Sequence, residues 1–352
     1  MDRHTIKISA TVAEAMRRLN ALSGEVMTLF AIDDANHVRG TVTDGDVRRA
    51  LISGAAMDTP VAEIMHLDFK AVAHDRPDIM QIRRCRDQGI RLLPRLKADG
   101  TLAGILDLTS QTTVLPLSAI LMAGGKGERL RPMTLTTPKP LLQIGGKAII
   151  DYNIEALARC GISDIWVTTC YMADQLSDHF STPVAGVQVK CVEEKSPLGT
   201  IGSASLAGIP DRGFTIVMNS DLLTSISFED MYIHHLDTGA DITIAAIPYQ
   251  VSVPYAILST SDTDSRSVTG IEEKPSYSFF ANAGIYIFPN ELLHSLPTDY
   301  RTDATDLIER AISRNMKVTY FPINGTWIDV GSPTDFRQAT ELMKYVNKML
   351  HS

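Results

Sequence analysis

The chain has 352 residues, a length that predicts two or three domains of about 100–200 residues each. The net charge of −8 at pH 7 argues against nucleic-acid binding, which needs a basic stripe, and no apolar run is long enough to span a membrane. No signal-peptide core follows the N-terminus, and the four cysteines lack metal-site spacing. We therefore expect a cytoplasmic protein that binds small anions.

The first third of the chain repeats one pattern, a helix followed by two strands that meet at a tight turn. An internal repeat of this size predicts two units that share a core. The first copy has its helix after Thr11, its strands at 28–32 and 38–43 and a second helix from Asp44. The second copy is weaker and has its helix at 77–88 and its strands at 91–96 and 102–106.

This pair resembles a tandem of CBS domains, or Bateman module, through the run Gly40-Thr41-Val42-Thr43-Asp44-Gly45-Asp46. In that family the cleft between the two units commonly binds an adenine nucleotide. The resemblance implies that Thr43 and Asp46 bind a regulatory adenine or guanine nucleotide, with phosphate at the helix N-terminus. The second copy departs from the pattern, because Asp107 stands where Ser or Thr is usual. The alternative is a pair that only mediates assembly; CBS pairs often associate, so we expect a homo-oligomer.

A glycine-rich loop follows the apolar run Leu117–Met122, which we predict to be a buried strand ahead of a helix at 149–158. The loop reads Ala123-Gly124-Gly125-Lys126-Gly127-Glu128-Arg129-Leu130-Arg131-Pro132, with Pro138-Lys139-Pro140 downstream. Glycines at the C-terminal end of a strand can aim backbone N–H groups at a phosphate, and Arg129 and Lys139 add charge. Three alternatives for this loop fit less well. A P-loop needs Ser or Thr after Gly-Lys, and the dinucleotide fingerprint needs a further glycine. An ordinary glycine turn would not explain the arginines and the lysine that follow it.

The loop and the Pro-Lys-Pro run resemble the signature of sugar nucleotidyltransferases, also called NDP-sugar pyrophosphorylases, from about Leu117 onwards. The resemblance implies an α/β fold, with a Rossmann-like mixed-sheet nucleotidyltransferase domain at 116–352 preceded by the tandem CBS (Bateman) module at 1–115. The segment Leu198-Gly199-Thr200 resembles the family's nucleobase site. The nucleotide-binding residues implied are Leu121, Ala123, Gly124, Gly125, Gly127, Glu128, Arg129, Gly199 and Thr200.

Two carboxylates match the family's metal-binding segments. Asp221 follows the predicted strand Phe214–Met218, and Asp329 lies in Gly325-Thr326-Trp327-Ile328-Asp329-Val330-Gly331. The resemblance implies that the pair holds Mg²⁺, which suits few protein ligands and oxygen donors. With Arg129 and Lys139, these carboxylates form the implied catalytic set. The sugar-phosphate ligands implied by two further motifs are Glu273, Lys274, Asn282 and Gly284.

The function expected from these motifs is transfer of a nucleoside monophosphate to a sugar-1-phosphate with release of pyrophosphate. The Leu-Gly-Thr segment favours GTP, with mannose-1-phosphate or glucosamine-1-phosphate as acceptor, in surface-glycan or nonulosonic acid biosynthesis. One alternative is a glucose-1-phosphate thymidylyl- or uridylyltransferase. A rival of another class is a catalytically inert nucleotide sensor. The joint presence of five charged residues of the motifs argues against it, and these are Arg129, Lys139, Asp221, Lys274 and Asp329.

Overall fold

The computed structural model describes residues 3–261 and 266–350, without the side chains of 346–350. The chain divides into two compact units, residues 1–115 with 159–161, and residues 116–158 with 162–352. Within the described residues, no helix has both the length and the apolar character needed to cross a bilayer.

The first unit contains two copies of one strand–helix–strand–strand motif. In each copy the first strand pairs parallel with the second, and the second pairs antiparallel with the third. The predicted internal repeat is therefore confirmed, whereas its assignment as a CBS pair stays a prediction. The elements are β1 (Thr5–Lys7), α1 (Val12–Ala21), β2 (Thr28–Ile32), β3 (Val38–Thr43), α2 (Asp44–Ile52) and α3 (Val61–Ile64), then β4 (Val72–Ala73), α4 (Ile79–Asp87), β5 (Leu92–Leu96) and β6 (Leu102–Asp107).

The two copies share a hydrophobic cluster, as the repeat predicts. Phe30, Ile32 and Val38 of the first copy pack with Leu92 of the second. The hairpins also match in register, because Thr43 pairs opposite the first residue of β2 as Asp107 does opposite the first residue of β5. The same hairpin thus occurs twice, but a helix follows it only in the first copy.

The second unit is built on a seven-stranded mixed sheet with the order β11-β10-β7-β12-β17-β14-β18. Only β17 runs antiparallel to its two neighbours. The sheet strands are β7 (Leu117–Met122), β10 (Ile165–Thr169), β11 (Lys190–Glu193), β12 (Phe214–Asn219), β14 (Ile242–Ser252), β17 (Ser276–Pro289) and β18 (Val318–Pro322). The expected mixed sheet is confirmed, and the predicted strands at 117–122 and 214–218 are present.

Helices and short strand pairs complete this unit. The helices are α5 (Ile149–Arg159), α6 (Ala173–His179), α7 (Phe228–Thr238), α8 (Asn290–His294), α9 (Ala304–Ser313) and α10 (Pro333–Leu350), and the remaining strands are β8 (Gln143–Ile144), β9 (Lys147–Ala148), β13 (Leu222–Thr224), β15 (Ile257–Thr260), β16 (Val268–Glu272) and β19 (Trp327–Asp329). Ile120 and Val217 of the sheet pack against Leu307 and Ile308 of α9 in the main core. Burying these continuous apolar strands between other elements stabilises a parallel sheet.

The chain order reverses at β7, which lies between β10 on one side and β12 on the other. This reversal makes a topological switch point, where open α/β sheets bind ligands at the carboxyl ends of the strands. Met122 and Asn219, which end the two strands, are register partners. The loops that follow β7 and β12 therefore begin side by side.

Candidate active site

A cavity of about 530 Å³ opens at the switch point between β7 and β12. Its walls come from the glycine loop, the Pro-Lys-Pro turn, the loop after β11 and the end of β12. The lining residues are Met122, Ala123, Gly124, Gly125, Gly127, Glu128, Arg129, Lys139, Pro140, Glu194, Pro197, Gly199, Thr200, Asn219, Ser220, Asp221, Arg301 and Gly331. Most of the sequence-predicted nucleotide ligands thus surround one space.

Leu121 is the exception among those predicted ligands. It lies within β7, its side chain is fully buried, and it does not line the cavity. Its backbone is paired with Val167 of β10 on one side and Met218 of β12 on the other. Leu121 therefore builds the sheet beneath the cavity, and the first residue of this run at the cavity wall is Met122.

Asp221 and Asp329 come together through β13 and β19, which pair antiparallel directly after Asp221. The Lys139 ammonium forms an ion pair with the Asp221 carboxylate and lies 3.5 Å from Oδ1 of Asp329. Arg129 lies close to Gly331, since a Cβ built there would be 3.3 Å from an Arg129 nitrogen. Three of the four residues expected to be catalytic, Arg129, Lys139 and Asp221, thus line one edge of the cavity, and Asp329 lies beside Lys139 without lining it.

The electrostatics of this edge combine two acidic and two basic groups. Burial and the neighbouring Asp221 carboxylate raise the pKa of Asp329, while Lys139 and Arg129 oppose that rise. Oδ1 of Asp329 is buried and has no hydrogen-bond partner. No group of three or more metal-ligating side chains occurs within 3–261 and 266–350. A pair of carboxylates with a buried oxygen that makes no hydrogen bond, and with Lys139 as its neighbouring cation at 3.5 Å, still fits Mg²⁺, which usually takes one or two carboxylates together with substrate phosphates.

The loop after β11 is hydrogen-bonded to a second segment, residues 301–304. Asp303 accepts a hydrogen bond from the Thr200 backbone N–H at 2.9 Å, and Thr200 Oγ1 accepts one from Ala304 N–H at 2.9 Å. The first of these bonds lowers the pKa of Asp303, and Arg301 adds to that effect. Thr200 therefore has a structural role at the cavity wall in addition to its predicted contact with the nucleotide.

The four predicted sugar-phosphate ligands are not all gathered at this cavity. Gly284 adjoins it, because its backbone packs against the side chain of the lining residue Asn219. Asn282 instead lines a smaller cavity of about 380 Å³ and donates to the Tyr286 hydroxyl at 2.9 Å. Glu273 and Lys274 are exposed and line neither cavity.

The strand ladder explains this separation. β14 and β17 remain paired as far as Ser252 and Ser276, and Glu273 and Lys274 lie just beyond that last pair. At about 3.3 Å per residue, the run from Lys274 to Asn282 can span roughly 25 Å. The sequence motifs led us to expect all four residues in one site. The structure does not bring them together.

Thr43 and Asp46 lie in the first unit, where they form a capping box at the start of α2. Asp46 Oδ2 accepts from the backbone and the hydroxyl of Thr43, and Oδ1 accepts from Arg49 at 2.6 Å. Burial opposes ionisation of Asp46, but these hydrogen bonds outweigh it and lower its pKa. Both carboxylate oxygens thus already have partners within the helix, which gives the two residues a structural role.

Two charged residues of the cavity wall, Glu194 and Arg301, were missed by the sequence reasoning. The sequence contained a signal for Glu194, because this carboxylate lies directly between a predicted strand and the Gly199 loop. Arg301 had none, because its segment carries no motif and only the fold brings it to the wall.

A mixed sheet with a glycine loop at its switch point places this unit among the open α/β domains that bind ligands at the carboxyl ends of their strands. The sequence model of the nucleotidyl transferase family matches residues 118–345. The chain therefore belongs to the nucleotidyl transferase family.

Individual relatives were found among curated proteins and solved structures. A Sulfolobus acidocaldarius protein, provisionally named a mannose-1-phosphate guanyltransferase, is 32% identical over 226 residues, with 62% of this chain and 61% of the relative covered. The mannose-1-phosphate guanyltransferase beta-A of Xenopus laevis is 30% identical over 230 residues, with 62% of each chain covered. This chain thus spans less than two thirds of either relative's length. The crystal structure of HddC from Yersinia pseudotuberculosis superposes with a TM-score of 0.50 at 25% identity, over 64% of this chain and 98% of that one.

Proposed function

We propose that this protein transfers the GMP group of GTP to a sugar-1-phosphate and releases pyrophosphate. The observation that carries the proposal is the convergence of the glycine loop, Arg129, Lys139, Asp221 and Asp329 at one edge of the cavity. Such a reaction needs positioning and charge neutralisation rather than a covalent nucleophile.

In the proposed reaction an oxygen of the sugar phosphate attacks the α-phosphorus of the triphosphate, and the bond to the pyrophosphate oxygen breaks. The attacking phosphate is already ionised, so no general base is required. The backbone N–H groups after Gly124 would orient the triphosphate, and Arg129 and Lys139 would neutralise its charge. Asp221 and Asp329 would hold Mg²⁺, which, when bound, supplies positive charge to phosphate oxygens.

GTP is the proposed donor for two reasons. The segment Leu198-Gly199-Thr200 resembles the base site of guanylyltransferases, and it lines the cavity through Gly199 and Thr200. Relatives at 30–32% identity carry mannose-1-phosphate guanyltransferase names. The proposed acceptor is mannose-1-phosphate or glucosamine-1-phosphate, for surface-glycan or nonulosonic acid biosynthesis. The runner-up is thymidylyl or uridylyl transfer to glucose-1-phosphate.

The direct test measures pyrophosphate release by the full chain with Mg²⁺, for each of GTP, UTP, dTTP and ATP against each of the three sugar phosphates. We expect the highest kcat/KM with GTP and one of the two proposed acceptors. Preference for UTP or dTTP with glucose-1-phosphate would establish the runner-up. A chain that binds nucleotide but releases no pyrophosphate with any pair would be an inert sensor.

The first unit is proposed to regulate this activity by binding a nucleotide through Thr43 and Asp46. The support is the CBS resemblance and the confirmed repeat, whereas the internal bonds of Asp46 favour a purely structural role. Calorimetry of the full chain with AMP, compared with Asp46→Asn, tests the proposal. Binding that the substitution weakens, with a matching change in kcat or KM, would support it. If neither AMP, ATP nor a guanine nucleotide binds in a way that Asp46→Asn weakens, the first unit is an assembly element only.

A further inference from the structure

Strands β14 and β17 continue past the rest of the sheet as a two-stranded ribbon, formed by residues 248–252 and 276–280. Among the described strands, these two segments pair only with each other, because β18 pairs with β14 no further than Ala246 and β12 pairs with β17 only from Ile285 onwards. Every residue of the ribbon is exposed. Both faces of the ribbon are therefore accessible to a partner.

One face of the ribbon is entirely apolar. In the strand register Tyr249 lies opposite Phe279 and Val251 lies opposite Tyr277, and directly paired residues of antiparallel strands share a face. These four side chains are between 40% and 56% exposed. Ile247, two positions before Tyr249 and on the same face, is partly buried. The apolar pattern of the core thus continues along β14 beyond the part of the sheet that the second unit buries.

The other face of the ribbon is mainly polar. The hydroxyls of Ser252 and Ser276 form a hydrogen bond of 2.7 Å, and the neighbouring register pair, Gln250 and Ser278, is also polar. The apolar ring on this side, Phe280, packs against a tyrosine of β18 with the ring centroids 4.5 Å apart. Alternation of this kind is typical of an antiparallel sheet with one face in water and the other packed against a neighbour.

The chemistry of the apolar face favours a second copy of the chain as that neighbour. Neither β14 nor β17 contains a charged residue, whereas natural proteins usually protect exposed strands with charges. The two strands therefore offer no ion pair to a charged partner protein and no Lys or Arg to the anionic lipids of a membrane. An uncharged apolar face is complementary to itself, and a two-fold dimer places the same patch of both subunits in contact.

The size of the apolar face also suits a dimer. At about 150–250 Å² for a whole aromatic side chain, Tyr249, Tyr277 and Phe279 together leave roughly 300 Å² exposed. Apolar patches of this size often mark interaction sites. In a standard interface each partner buries about 800 Å², of which about 60% is apolar. The three aromatic side chains and Val251 therefore supply most of the apolar area that each copy needs.

We propose that the apolar face of the ribbon, formed by Tyr249, Val251, Tyr277 and Phe279, is the contact between two copies of this chain. The two ribbons pack face to face about a two-fold axis, with the aromatic side chains at the centre and the polar faces towards solvent. The proposal places the homo-oligomer contact on the second unit rather than on the CBS-like repeat. It concerns assembly alone and does not depend on the transferase reaction.

The test introduces the same charge on each face of the ribbon. Tyr249→Lys and Phe279→Lys place it on the apolar face, and Gln250→Lys and Ser278→Lys are the matched controls on the polar face, one position away. Each control shares the strand, the exposure and the added charge, so any general effect of lysine on the ribbon is common to both. Sedimentation equilibrium of each full-length protein at micromolar concentrations measures the dissociation constant of the dimer, and circular dichroism checks the fold.

We expect a dimeric wild type, and a dissociation constant about a hundredfold higher or more for Tyr249→Lys and Phe279→Lys. A central aromatic residue is typically a hot spot, and a two-fold axis makes each substitution count twice and brings like charges together. Gln250→Lys and Ser278→Lys should stay close to the wild-type value. If a lysine variant fails to fold, Tyr249→Ser against Gln250→Ser makes the same comparison without charge, with a rise of about tenfold or more expected for Tyr249→Ser.

A wild type that remains monomeric would overturn the proposal. A dimer that all four lysine variants retain would also overturn it, because the contact would then lie elsewhere in the chain. Equal weakening by substitutions on both faces would overturn it as well, since the partner would then not distinguish the apolar face from the polar one.

Discussion

The backbone carbonyl of Asp221 accepts a hydrogen bond from the Val330 N–H at 3.1 Å. This bond continues the β13–β19 ladder and ties the segment after β12 to a segment far along the chain. The Asp329 side chain is thereby held beside Asp221. The carboxylate pair is therefore a consequence of strand pairing, and it should survive removal of either charge.

Asp221→Asn and Asp329→Asn should each lower kcat by at least about a hundredfold while the fold persists. The loss expected is of the size seen when one group that stabilises transition-state charge is removed. Pyrophosphate release measures the loss of kcat, and circular dichroism checks that the fold persists. Asp237→Asn, at an exposed position on α7, is the control. A chelator should also stop wild-type turnover, and full activity in its presence would refute the Mg²⁺ assignment.

Lys139 stabilises the carboxylate pair and should be needed for the stability of the fold as well as for turnover. Its side chain is only 12% exposed and faces both Asp221 and Asp329. Lys139→Met should lower the free energy of unfolding by about 1–3 kcal/mol, because it leaves a partly buried charge unpaired. Urea unfolding should show the Lys139→Met/Asp221→Asn double variant to be more stable than Lys139→Met alone. The more exposed pair of Lys147 and Glu155 is the control, for which Lys147→Met should cost about 1 kcal/mol or less.

Arg129 and Lys274 are predicted to act on different substrates. Arg129→Ala should raise the KM for the triphosphate about tenfold or more, as expected for a lost phosphate contact. The family resemblance predicts the same size of effect for Lys274→Ala on the KM for the sugar phosphate, although Lys274 lies outside the cavity. Initial rates with each substrate varied in turn measure both. An unchanged KM for Lys274→Ala would show that Lys274, in the loop between β16 and β17, does not contact the sugar phosphate.

Gly284 should tolerate no side chain. Its φ is +71°, and a Cβ there would lie 2.6 Å from the Asn219 side-chain nitrogen at the cavity wall. Gly284→Ala should cost about 2–4 kcal/mol, from backbone strain and overpacking together. Gly239→Ala is the control, since Gly239 has a φ of +57° with nothing within 4 Å, and about 1 kcal/mol of strain is expected there. Equal losses of stability in urea would show that the contact with Asn219 is unimportant.

His235 should make the stability of the second unit depend on pH. It is 1% exposed, and burial lowers its pKa below the ordinary 6.5, with His234 adding to the effect. The unfolded chain therefore binds more protons than the folded chain just below pH 6.5, so stability is complete above that pH and is lost as the pH falls. The slope from this group is at most about 1.4 kcal/mol per pH unit.

His235→Gln should flatten the dependence of the unfolding free energy on pH between 5 and 7. Urea unfolding at several pH values measures it, and His294→Gln, at an exposed position, should leave the slope as in the wild type. Identical slopes for wild type and His235→Gln would assign the pH dependence to other groups.

The sequence alone predicted the strands and loops that local patterns encode. The apolar run of β7 and the glycine loop after it are set by short-range chemistry, because continuous apolar residues favour a buried strand and glycines permit a close phosphate approach. The internal repeat of the first unit was also predictable from the sequence, because both copies have the sequence pattern of the same hairpin.

Only the tertiary structure decided which of these groups meet. Arg301 reaches the cavity wall because its segment forms backbone hydrogen bonds with the loop at 198–202. No local sequence pattern predicts these bonds. Lys274 matches a motif, but the β14–β17 ladder carries it away from the cavity. Motifs depend on neighbours along the chain, whereas burial and strand register depend on distant partners. The sequence therefore indicated which kinds of residue the site contains, and the fold determined which individual residues lie in it.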